Sequence, residues 1–286
     1  MTMKIAIIGG SGLYHIEGIK NVGELKIKTP FGNPSDVIVT GTLGDREIAF
    51  LPRHGRGHKI LPTEVNSRAN IYALKSLGVE FIISISACGS LKEEIKPRDF
   101  VIPDQLYDGT KQRKSSFFGD GIAGHIGFAE PYCNVLRKLL HNAAKELKIN
   151  VHFGGTYICM EGPQFSTKAE SEVHRKLGFS IIGMTALPEA KLAREAEICY
   201  ATVGLVTDYD VWKEGEEVTV DKVIENLSAN VENSKQLLKT VVPGINLSIR
   251  NCPCSTALKY AVFTQKDKMN KQTLKKLNLI VGKYLK

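Results

Sequence analysis

The sequence contains no apolar run long enough to form a membrane-spanning helix. Its N-terminal residues lead directly into Lys4–Ile8, which has the pattern of a short buried strand and not that of an export signal. The hydrophobic fraction of 43% and the charged fraction of 24% are ordinary for a globular protein. We therefore expect a soluble cytoplasmic protein without a membrane partner.

The basic residues lack the interleaved aromatic residues of a surface that stacks nucleic-acid bases. The net charge is +8, but the lysines are scattered, and we interpret the densest group as the solvated face of a helix. We expect no nucleic-acid partner. Residues 1–264 are predicted to form one domain, with residues 265–286 as its Lys-rich helical extension. The lysines of the densest group are Lys266, Lys268, Lys271, Lys275, Lys276, Lys283 and Lys286.

The six cysteines lack the spacing of a zinc motif, so the sequence predicts no metal site. A cytoplasmic location also argues against disulfides. Cys252-Pro253-Cys254 is the exception, because two thiols so close in sequence can form a small redox-active or structural ring. A pair of ordinary reduced cysteines is the alternative there. The cysteines stand at positions 88, 133, 159, 199, 252 and 254.

Short apolar runs alternate with segments of helical periodicity, and neither a linker nor an internal repeat separates them. This pattern predicts an α/β fold, a single domain in which helices flank a central twisted mixed β-sheet. Leu106–Glu130 has few periodic apolar positions and is expected to be a surface excursion that reaches a site or a neighbouring subunit. The predicted strands are Lys4–Ile8, Val37–Gly41, Glu47–Leu51, Phe81–Ile85, Gly154–Cys159, Ile181–Met184 and Ala201–Val206. The predicted helices are Asn66–Leu77, Pro131–Leu147, Thr167–Leu177, Pro188–Glu195, Val220–Thr240, Ala257–Val262 and Asn270–Leu285.

Polar side chains gather where the predicted strands end. Pro52–His58 carries two arginines and two histidines on a glycine-rich turn, which suits an anion. Gly9–Gly12 lacks the Gly-x-Gly-x-x-Gly spacing of a dinucleotide site but offers an anion nest. Because ligands of open α/β sheets bind at the carboxyl ends of strands, we expect these side chains to meet.

Two kinds of group occupy these strand ends. One kind can donate hydrogen bonds to an oxyanion, and the other can accept them from an amine or a protonated ring nitrogen. We call the first group the donor pole and the second group the carboxylate pole. A site with both poles fits a phosphate at one end, a base at the other and a sugar between them. The donor pole comprises Ser11, Arg53, His54, Ser86 and Thr185, and the carboxylate pole comprises Asp208 and Asp210.

The chain resembles the trimeric purine nucleoside phosphorylase family, and within it the members that act on S-methyl-5′-thioadenosine. The matching residues extend from about Lys4 to Val242, and they are specific as a set although no single motif is. They are Gly9-Gly10-Ser11-Gly12-Leu13, Thr29-Pro30-Phe31-Gly32, Arg53-His54-Gly55-Arg56-Gly57-His58, Asn66-Ser67-Arg68-Ala69-Asn70-Ile71, Ala87-Cys88-Gly89-Ser90-Leu91, Glu161-Gly162-Pro163-Gln164-Phe165, Met184-Thr185 and Thr207-Asp208-Tyr209-Asp210.

The resemblance implies a role for each matching site residue. Phosphate is expected at Ser11, Arg53, His54, Ser86, Ala87 and Thr185. The base and ribose are expected against Cys88, Gly89, Phe165, Ile182 and Met184. A 5′-methylthio pocket is expected from Val220, Val223 and, from an adjacent subunit, His125. It further implies a homo-oligomer, a trimer or a dimer of trimers, with phosphate as co-substrate and no cofactor.

The expected reaction is phosphorolysis of S-methyl-5′-thioadenosine to adenine and 5-methylthioribose 1-phosphate, with adenosine as a possible second substrate. Phosphate stabilises and traps the ribosyl cation, while Asp208, assisted by Asp210, shares a proton with the departing base. Burial and a neighbouring like charge are expected to raise the pKa of the Asp208 carboxyl. A carboxylate facing position 6 favours an amino group there, and relatives specific for 6-oxopurines carry asparagine at that position.

Several alternatives stay open at this point. The nearest is a phosphorylase of inosine, guanosine or methylthioinosine. Others are a Cys88-dependent hydrolase and a non-catalytic RNA-binding protein. Cys88 is otherwise a buried filler, Glu161 a helix cap, and Arg56 and His58 supports of their turn. From the heat-stable members of the family, the resemblance also implies disulfides within Cys252-Pro253-Cys254 and between Cys133 and Cys199.

Overall fold

The computed structural model describes residues 3–10, 13, 17–216, 220–247 and 250–285, and for residues 220, 222 and 223 it describes the backbone only. Its strands belong to one eleven-stranded sheet. The strands are β1 (Ile5–Gly9), β2 (Lys20–Leu25), β3 (Ile38–Leu43), β4 (Arg46–Pro52), β5 (Phe81–Ser90), β6 (Phe100–Ile102), β7 (Gln105–Gly109), β8 (Val151–Phe153), β9 (Thr156–Met160), β10 (Ile181–Gly183) and β11 (Cys199–Asp208).

The sheet is mixed, with β5 near its centre. Along one path the strand order is β2-β3-β4-β1-β5-β10-β9-β7, and β11, β6 and β8 extend from the other edge of β5. The pairs of β1 with β4, β1 with β5 and β5 with β11 are parallel. The pairs of β5 with β10 and of β6 with β11 are antiparallel. Almost every residue of β5 and β11 is buried, as expected for central strands that are covered on both faces.

Helices cover both faces of the sheet. One apolar core lies under α1, α4 and α6, and the other lies under α2 and α5. No helix among the described residues is both long enough and apolar enough to cross a membrane. The helices are α1 (Ser67–Ser76), α2 (Asn134–Glu146), α3 (Lys168–Lys176), α4 (Glu189–Glu195), α5 (Val220–Gly244) and α6 (Lys271–Val281).

The structure confirms the predicted single α/β domain with a mixed sheet, together with most of its elements. A tight turn at Gly44 and Asp45 joins β3 to β4 as a hairpin, with Gly44 at φ 63°. Thr167 and Glu170 form a capping box at the start of α3. The short strands β2, β6, β7 and β8 were not predicted, because three to six residues with little alternation give no periodic signal. β7 takes up the first residues of the predicted surface excursion Leu106–Glu130, which is therefore wrong over that part.

The helix predicted over Ala257–Val262 is wrong. This segment consists of turns, with a 3₁₀ helix just before it at Pro253–Thr256. Its apolar residues fall at a helix-like spacing, but Leu258 and Ala261 instead fill a gap in the core cluster, and the backbone pairs with the loop around Gly124. After it, α6 buries Leu277 and Ile280 against the same core, so the Lys-rich C-terminal region packs onto the rest of the domain.

Candidate active site

The site lies where β5 exchanges one neighbouring strand for another. Along one edge, Phe81 to Ser84 pair with β1, whereas Gly89 and Ser90 pair with β10. Within the described sheet, no strand covers this edge between Ile85 and Cys88. A gap at such a switch point is the usual ligand site of an open α/β sheet, and Ala87 is exposed in it.

Arg53 lies at one side of this gap, directly after β4. Its backbone N–H donates to the carbonyl of Gly9 at 2.9 Å, which fixes the turn to the end of β1. Its guanidinium is 2% exposed and donates to the carbonyl of Ile85 at 3.0 Å, on the uncovered edge of β5. Arg53 also lines a small pocket together with His54, Arg113, Met184 and Thr185. The arginine is thus held at the point where the donor pole was expected.

Glu189, which the sequence pattern did not indicate as a site residue, binds the Arg53 guanidinium. Its two carboxylate oxygens accept from Nε at 2.9 Å and from Nη2 at 3.0 Å. Ser84 and Tyr200 donate to the same carboxylate at 2.9 Å and 2.8 Å. Most of the five N–H groups of Arg53 are consumed by this network and by Ile85, so its orientation is set before any ligand binds.

His54 contributes to the site differently from the donor that the sequence suggested. Its Nδ1 lies 2.9 Å from the carbonyl of Ile60, and because a carbonyl only accepts, Nδ1 carries the hydrogen. Burial and the positive charge of Arg53 lower the pKa of His54 from 6.5 to about 4. The ring is therefore neutral near pH 7, and its Nε2 offers a lone pair. Such a group accepts the hydroxyl hydrogen of a hydrogen phosphate.

Ser86 and Thr185 complete the described part of the donor pole. Their hydroxyls lie 2.5 Å apart, so residues from β5 and from the turn after β10 meet directly.

The hydroxyl of Tyr157 is buried, has no hydrogen-bond partner in the described residues, and would lie 2.0 Å from a Cβ at Gly183. Gly183 is therefore required to be glycine by the close approach of this phenol.

Arg113 lies in the surface excursion predicted over Leu106–Glu130, and it was not among the predicted site residues. Its side chain is buried, and its Nη1 donates to the carbonyls of Met184 and Leu187, each at 2.6 Å. Its Nη2 donates to the carbonyl of Glu161 at 2.6 Å. Arg113 thus ties the segment after β9 to the segment after β10. Glu161 contacts this loop and does not cap α3, because Thr167 and Glu170 form that cap.

The carboxylate pole lies at the end of β11, opposite Gly89 of β5. Asp208 accepts from the Thr207 hydroxyl at 2.7 Å and from the backbone N–H of Asp210 at 2.8 Å. One carboxylate oxygen of Asp210, Oδ2, is buried without a hydrogen-bond partner among the described residues.

Both carboxyls have a raised pKa, as the sequence argument predicted for Asp208. Burial is the largest cause in each case. The negative charge of Asp208 adds to the effect at Asp210, whereas at Asp208 the hydrogen bonds from Thr207 and Asp210 oppose it. Each carboxyl thus holds a proton more tightly than an exposed aspartate does. At Asp208, burial rather than repulsion by Asp210 is the main cause of the raised pKa.

Three of the residues expected around the base, Cys88, Gly89 and Ile182, lie beside these carboxyls. Ile182 pairs with Gly89 and is buried, and a Cβ at Gly89 would lie 2.8 Å from Oδ1 of Asp208. Met184 is half-buried, and Phe165 is 56% exposed. Burial and the charge of Asp208 raise the pKa of the Cys88 thiol well above its ordinary value. A thiol in that state is a poor nucleophile, which argues against the Cys88-dependent hydrolase.

Four expected site residues are not brought to the gap by the described structure. Ser11 lies outside the described residues, and for Val220 and Val223 only the backbone, at the start of α5, is described. His125 is exposed, and its backbone N–H donates to the carbonyl of Ala261 at 2.8 Å.

The rest of the basic turn supports its shape. Arg56 is exposed, and its guanidinium donates to Glu24 at 2.6 Å, while its backbone N–H donates to Asp36. His58 has φ 53°, and its ring stacks on that of His54 with the centroids 4.4 Å apart. The structure thus divides the turn into buried Arg53 and His54, which face the gap, and Arg56 and His58, which hold the turn.

Known proteins match this chain over most of its length. The family model described as Phosphorylase superfamily matches residues 4–243. The S-methyl-5′-thioadenosine phosphorylase of Koribacter versatilis is 54% identical over 285 residues, which cover 99% of this chain and 97% of the relative.

Two solved structures are also similar. A methylthioadenosine phosphorylase from an antarctic soil metagenomic library has a TM-score of 0.93 and 49% identity, covering 98% of this chain and 99% of the other. A mutant of the adenosine/methylthioadenosine phosphorylase of Schistosoma mansoni, in complex with methylthioadenosine, has a TM-score of 0.81 and 38% identity, covering 86% and 94%.

Proposed function

This chain belongs to the phosphorylase superfamily, and we infer from that membership, together with its site, that it is an S-methyl-5′-thioadenosine phosphorylase. It cleaves the bond between the ribosyl carbon and the purine nitrogen with phosphate, and it releases adenine and 5-methylthioribose 1-phosphate. The observation that carries this proposal is that the described residues of the donor pole meet beside β5, while Asp208 of the carboxylate pole lies opposite Gly89 of the same strand.

The spacing of the two poles along β5 supports this substrate. Ser86 belongs to the donor pole, and Gly89, three residues later, is paired with Asp208 of the carboxylate pole. Three residues of extended chain span roughly 10 Å, which is the length of a ribose with a phosphate on one side and part of a purine on the other. A single sugar therefore bridges the two poles.

At the donor pole, Arg53 supplies fixed positive charge, and the hydroxyls of Ser86 and Thr185 donate to phosphate oxygens. His54 accepts the hydrogen of the phosphate hydroxyl. The bond between the ribosyl carbon and the purine breaks with its electron pair on the base, and positive charge develops on the sugar. The bound phosphate stabilises this charge and then forms the new carbon–oxygen bond. Ala87 and Ser11 are assigned to the same ion from the family resemblance.

At the carboxylate pole, Asp208 delivers a proton to the departing purine, most directly at N7. Burial raises the pKa of the Asp208 carboxyl, so it holds a proton more tightly than an exposed aspartate does, and the backbone N–H of Asp210 donates to the same carboxyl. Once ionised, Asp208 accepts from the 6-amino group of adenine. Cys88, Gly89, Phe165, Ile182 and Met184 form the walls for base and ribose.

Once Asp208 has given up its proton, a 6-aminopurine fits this pole better than a 6-oxopurine, because the ionised carboxylate and a carbonyl oxygen would both be acceptors. The alternative activities on inosine, guanosine or methylthioinosine are not favoured, since the named relatives are methylthioadenosine phosphorylases. Adenosine is retained as a second substrate, as the name of the Schistosoma mansoni relative includes it. The chemistry uses phosphate as co-substrate, and we assign it no cofactor.

We propose a homotrimer, or a dimer of trimers, whose sites lie at subunit boundaries. Two exposed aromatic side chains support this arrangement: Tyr260 is 83% exposed and Phe263 is 68% exposed, beside His125. An adjacent subunit that buries this patch brings His125 to the 5′-methylthio group, opposite Val220 and Val223. We further propose that the enzyme is cytoplasmic and serves purine and methionine salvage.

One assay tests the proposed reaction. Purified enzyme is incubated with S-methyl-5′-thioadenosine with and without inorganic phosphate, and adenine and the sugar product are measured. We expect adenine only when phosphate is present, with one equivalent of the sugar 1-phosphate. Adenine release without phosphate would support a hydrolase instead, and faster turnover of inosine would support the 6-oxopurine alternative.

A further inference from the structure

Four cysteine thiols meet at the start of β11, at the opposite end of this strand from Asp208. The Sγ atoms of Cys133, Cys199, Cys252 and Cys254 all lie within 4.8 Å of one another. Three of these residues are buried, and Cys252 is half-buried. Their convergence is a result of folding, because the cysteines come from three segments that are far apart in the chain. The spacing of the cysteines along the sequence could not predict this cluster.

Each of the three segments is held firmly. Cys133 is the N-cap of α2, and its backbone N–H donates to the carbonyl of Tyr200 at 2.8 Å. Cys199 is the first residue of β11, and its backbone N–H donates to Glu80 at 2.8 Å. Cys252 and Cys254 flank the proline that begins the 3₁₀ helix Pro253–Thr256. The thiols are thus presented from rigid elements.

The spacing of the sulfurs fits a tetrahedral metal centre. Zinc–sulfur bonds of about 2.3 Å place the sulfurs of a tetrahedral site roughly 3.8 Å apart. The separation between Cys199 and Cys252 is 3.3 Å, and no pair exceeds 4.8 Å. The separation required for a tetrahedral site lies between these two distances. Sub-ångström shifts of the sulfur atoms would complete the site.

The same contacts argue against the two disulfides implied by the family resemblance. All six cysteines are free thiols in the structure. The Cys199–Cys252 contact joins a member of one expected pair, Cys133–Cys199, to a member of the other, Cys252–Cys254. Four mutually close sulfurs are the arrangement of one shared centre rather than of two separate bonds.

We propose that Cys133, Cys199, Cys252 and Cys254 bind one structural Zn²⁺ ion. Four zinc–sulfur bonds form, each bound thiol releases its proton to solvent, and no electron is transferred. All four protein ligands are thiolates, so the site is closed and has no open position for catalysis. The centre carries a charge of 2−, which the N-terminal end of α2 and the nearby guanidinium of Arg194 offset.

The metal connects the C-terminal segment to the core of the domain. Downstream of Cys254, the carbonyl of Ala261 accepts from the N–H of His125 at 2.8 Å, and the N–H of Phe263 donates to Ala123 at 3.0 Å. The zinc centre thus anchors the chain that supports the loop bearing His125. Its loss is expected to loosen this exposed patch before it disturbs the sheet.

Metal content of the wild-type protein tests the proposal directly. The full chain is purified without chelators from zinc-supplemented cells, and zinc is measured by elemental analysis. Free thiols are then titrated in denaturant with a chelator and without reductant. We expect about one zinc per chain and six reactive thiols. Six thiols without zinc would overturn the proposal, and so would two or four thiols, which indicate disulfides.

Single substitutions locate the ion. Cys252→Ser removes the half-buried ligand, and we expect it to lose most of its zinc under dialysis that leaves the wild-type protein loaded. Cys159→Ser is the matched control, because it changes a buried cysteine outside the cluster and should retain the ion. Co²⁺ exchanged into the wild-type protein should show the visible bands of tetrahedral thiolate coordination, weakened in Cys252→Ser only. Equal zinc and equal bands in both variants would contradict the assignment.

Discussion

Arg53 and Glu189 form a buried ion pair that is joined at two points, Nε to Oε2 at 2.9 Å and Nη2 to Oε1 at 3.0 Å. The side chains are 3% and 2% exposed, so water does not share in the pairing. A guanidinium held in this way keeps its charge and its orientation whether or not phosphate is present. Glu189 is therefore a positioning residue for the donor pole.

Glu189→Gln should destabilise the protein strongly. The amide cannot accept all the hydrogen bonds from Arg53, Ser84 and Tyr200, and it leaves the Arg53 charge buried without its partner. Breaking a buried pair on one side costs about 3–5 kcal/mol, and we expect a loss in the lower part of this range, measured by urea denaturation. Phosphate should raise the Tm of this variant by more than it raises that of the wild-type protein, because the anion replaces the missing charge.

The matched control is Glu24→Gln, which breaks the exposed pair between Arg56 and Glu24. Exposed ion pairs contribute less than about 1 kcal/mol, so this variant should unfold close to the wild-type midpoint. Similar small losses in both variants would show that the Arg53 pair is not important for stability.

Arg53→Ala should weaken phosphate binding much more than Arg56→Ala does. Hydrogen bonds to charged groups are worth roughly 1.5–3 kcal/mol, which corresponds to a rise in the KM for phosphate of about ten- to a hundredfold. Arg56 should show less than a twofold change. Since Arg53→Ala also leaves Glu189 unpaired, Arg53→Lys should be measured beside it, and equal phosphate KM values across the arginine variants would refute the division of the turn.

Asp208→Asn should reduce kcat/KM for S-methyl-5′-thioadenosine by about 10²–10⁴-fold, because it removes the proton donor to the purine. An amide can donate to a 6-oxo group, so activity on inosine should fall far less or rise. The measurement is the ratio of kcat/KM for the two nucleosides, with circular dichroism to confirm the fold. A parallel loss on both substrates would mean that Asp208 does not recognise position 6.

Acidification should destabilise the protein through His54. The pKa of this residue is about 4 in the folded state and 6.5 in the unfolded state, so the unfolded chain binds the proton first. The contribution of neutral His54 is complete above pH 6.5 and is lost as the pH falls towards 4, to a total of about 3 kcal/mol. In the His54→Gln variant, the unfolding free energy should change less with pH across this window than it does in the wild-type protein. The same pH dependence in both proteins would contradict the assignment.

Much of the site could be predicted from the sequence, because the carboxyl ends of parallel strands are forced together by the sheet. Arg53, Ser86, Thr185 and Asp208 follow recognisable apolar runs, and the structure places the first three at the gap and Asp208 opposite Gly89 of the same strand. The charge state of His54 could not be predicted, since it depends on Ile60 and on the burial of the neighbouring Arg53.

Glu189 and Arg113 were missed for a related reason. An acidic residue at the start of a helix is ordinarily a solvated partner of the helix dipole, and only the burial of nearly all of α4 shows otherwise. The signal was present in the helix sequence, Glu-Ala-Lys-Leu-Ala-Arg-Glu, whose small residues leave no clear polar face. Arg113 lies in an aperiodic loop, where sequence gives no register at all.

The central strand β5 has a dynamic consequence for the enzyme. Between Phe81 and Ser84 it is paired with β1 on one edge and with β11 on the other, so the amides of this part open to solvent only when the domain unfolds as a whole. Hydrogen exchange at Ile82 and Ile83, which are paired on both edges, should therefore be among the slowest in the chain. Catalytic activity and the folded state should be lost in the same thermal transition, with no inactive folded form preceding it.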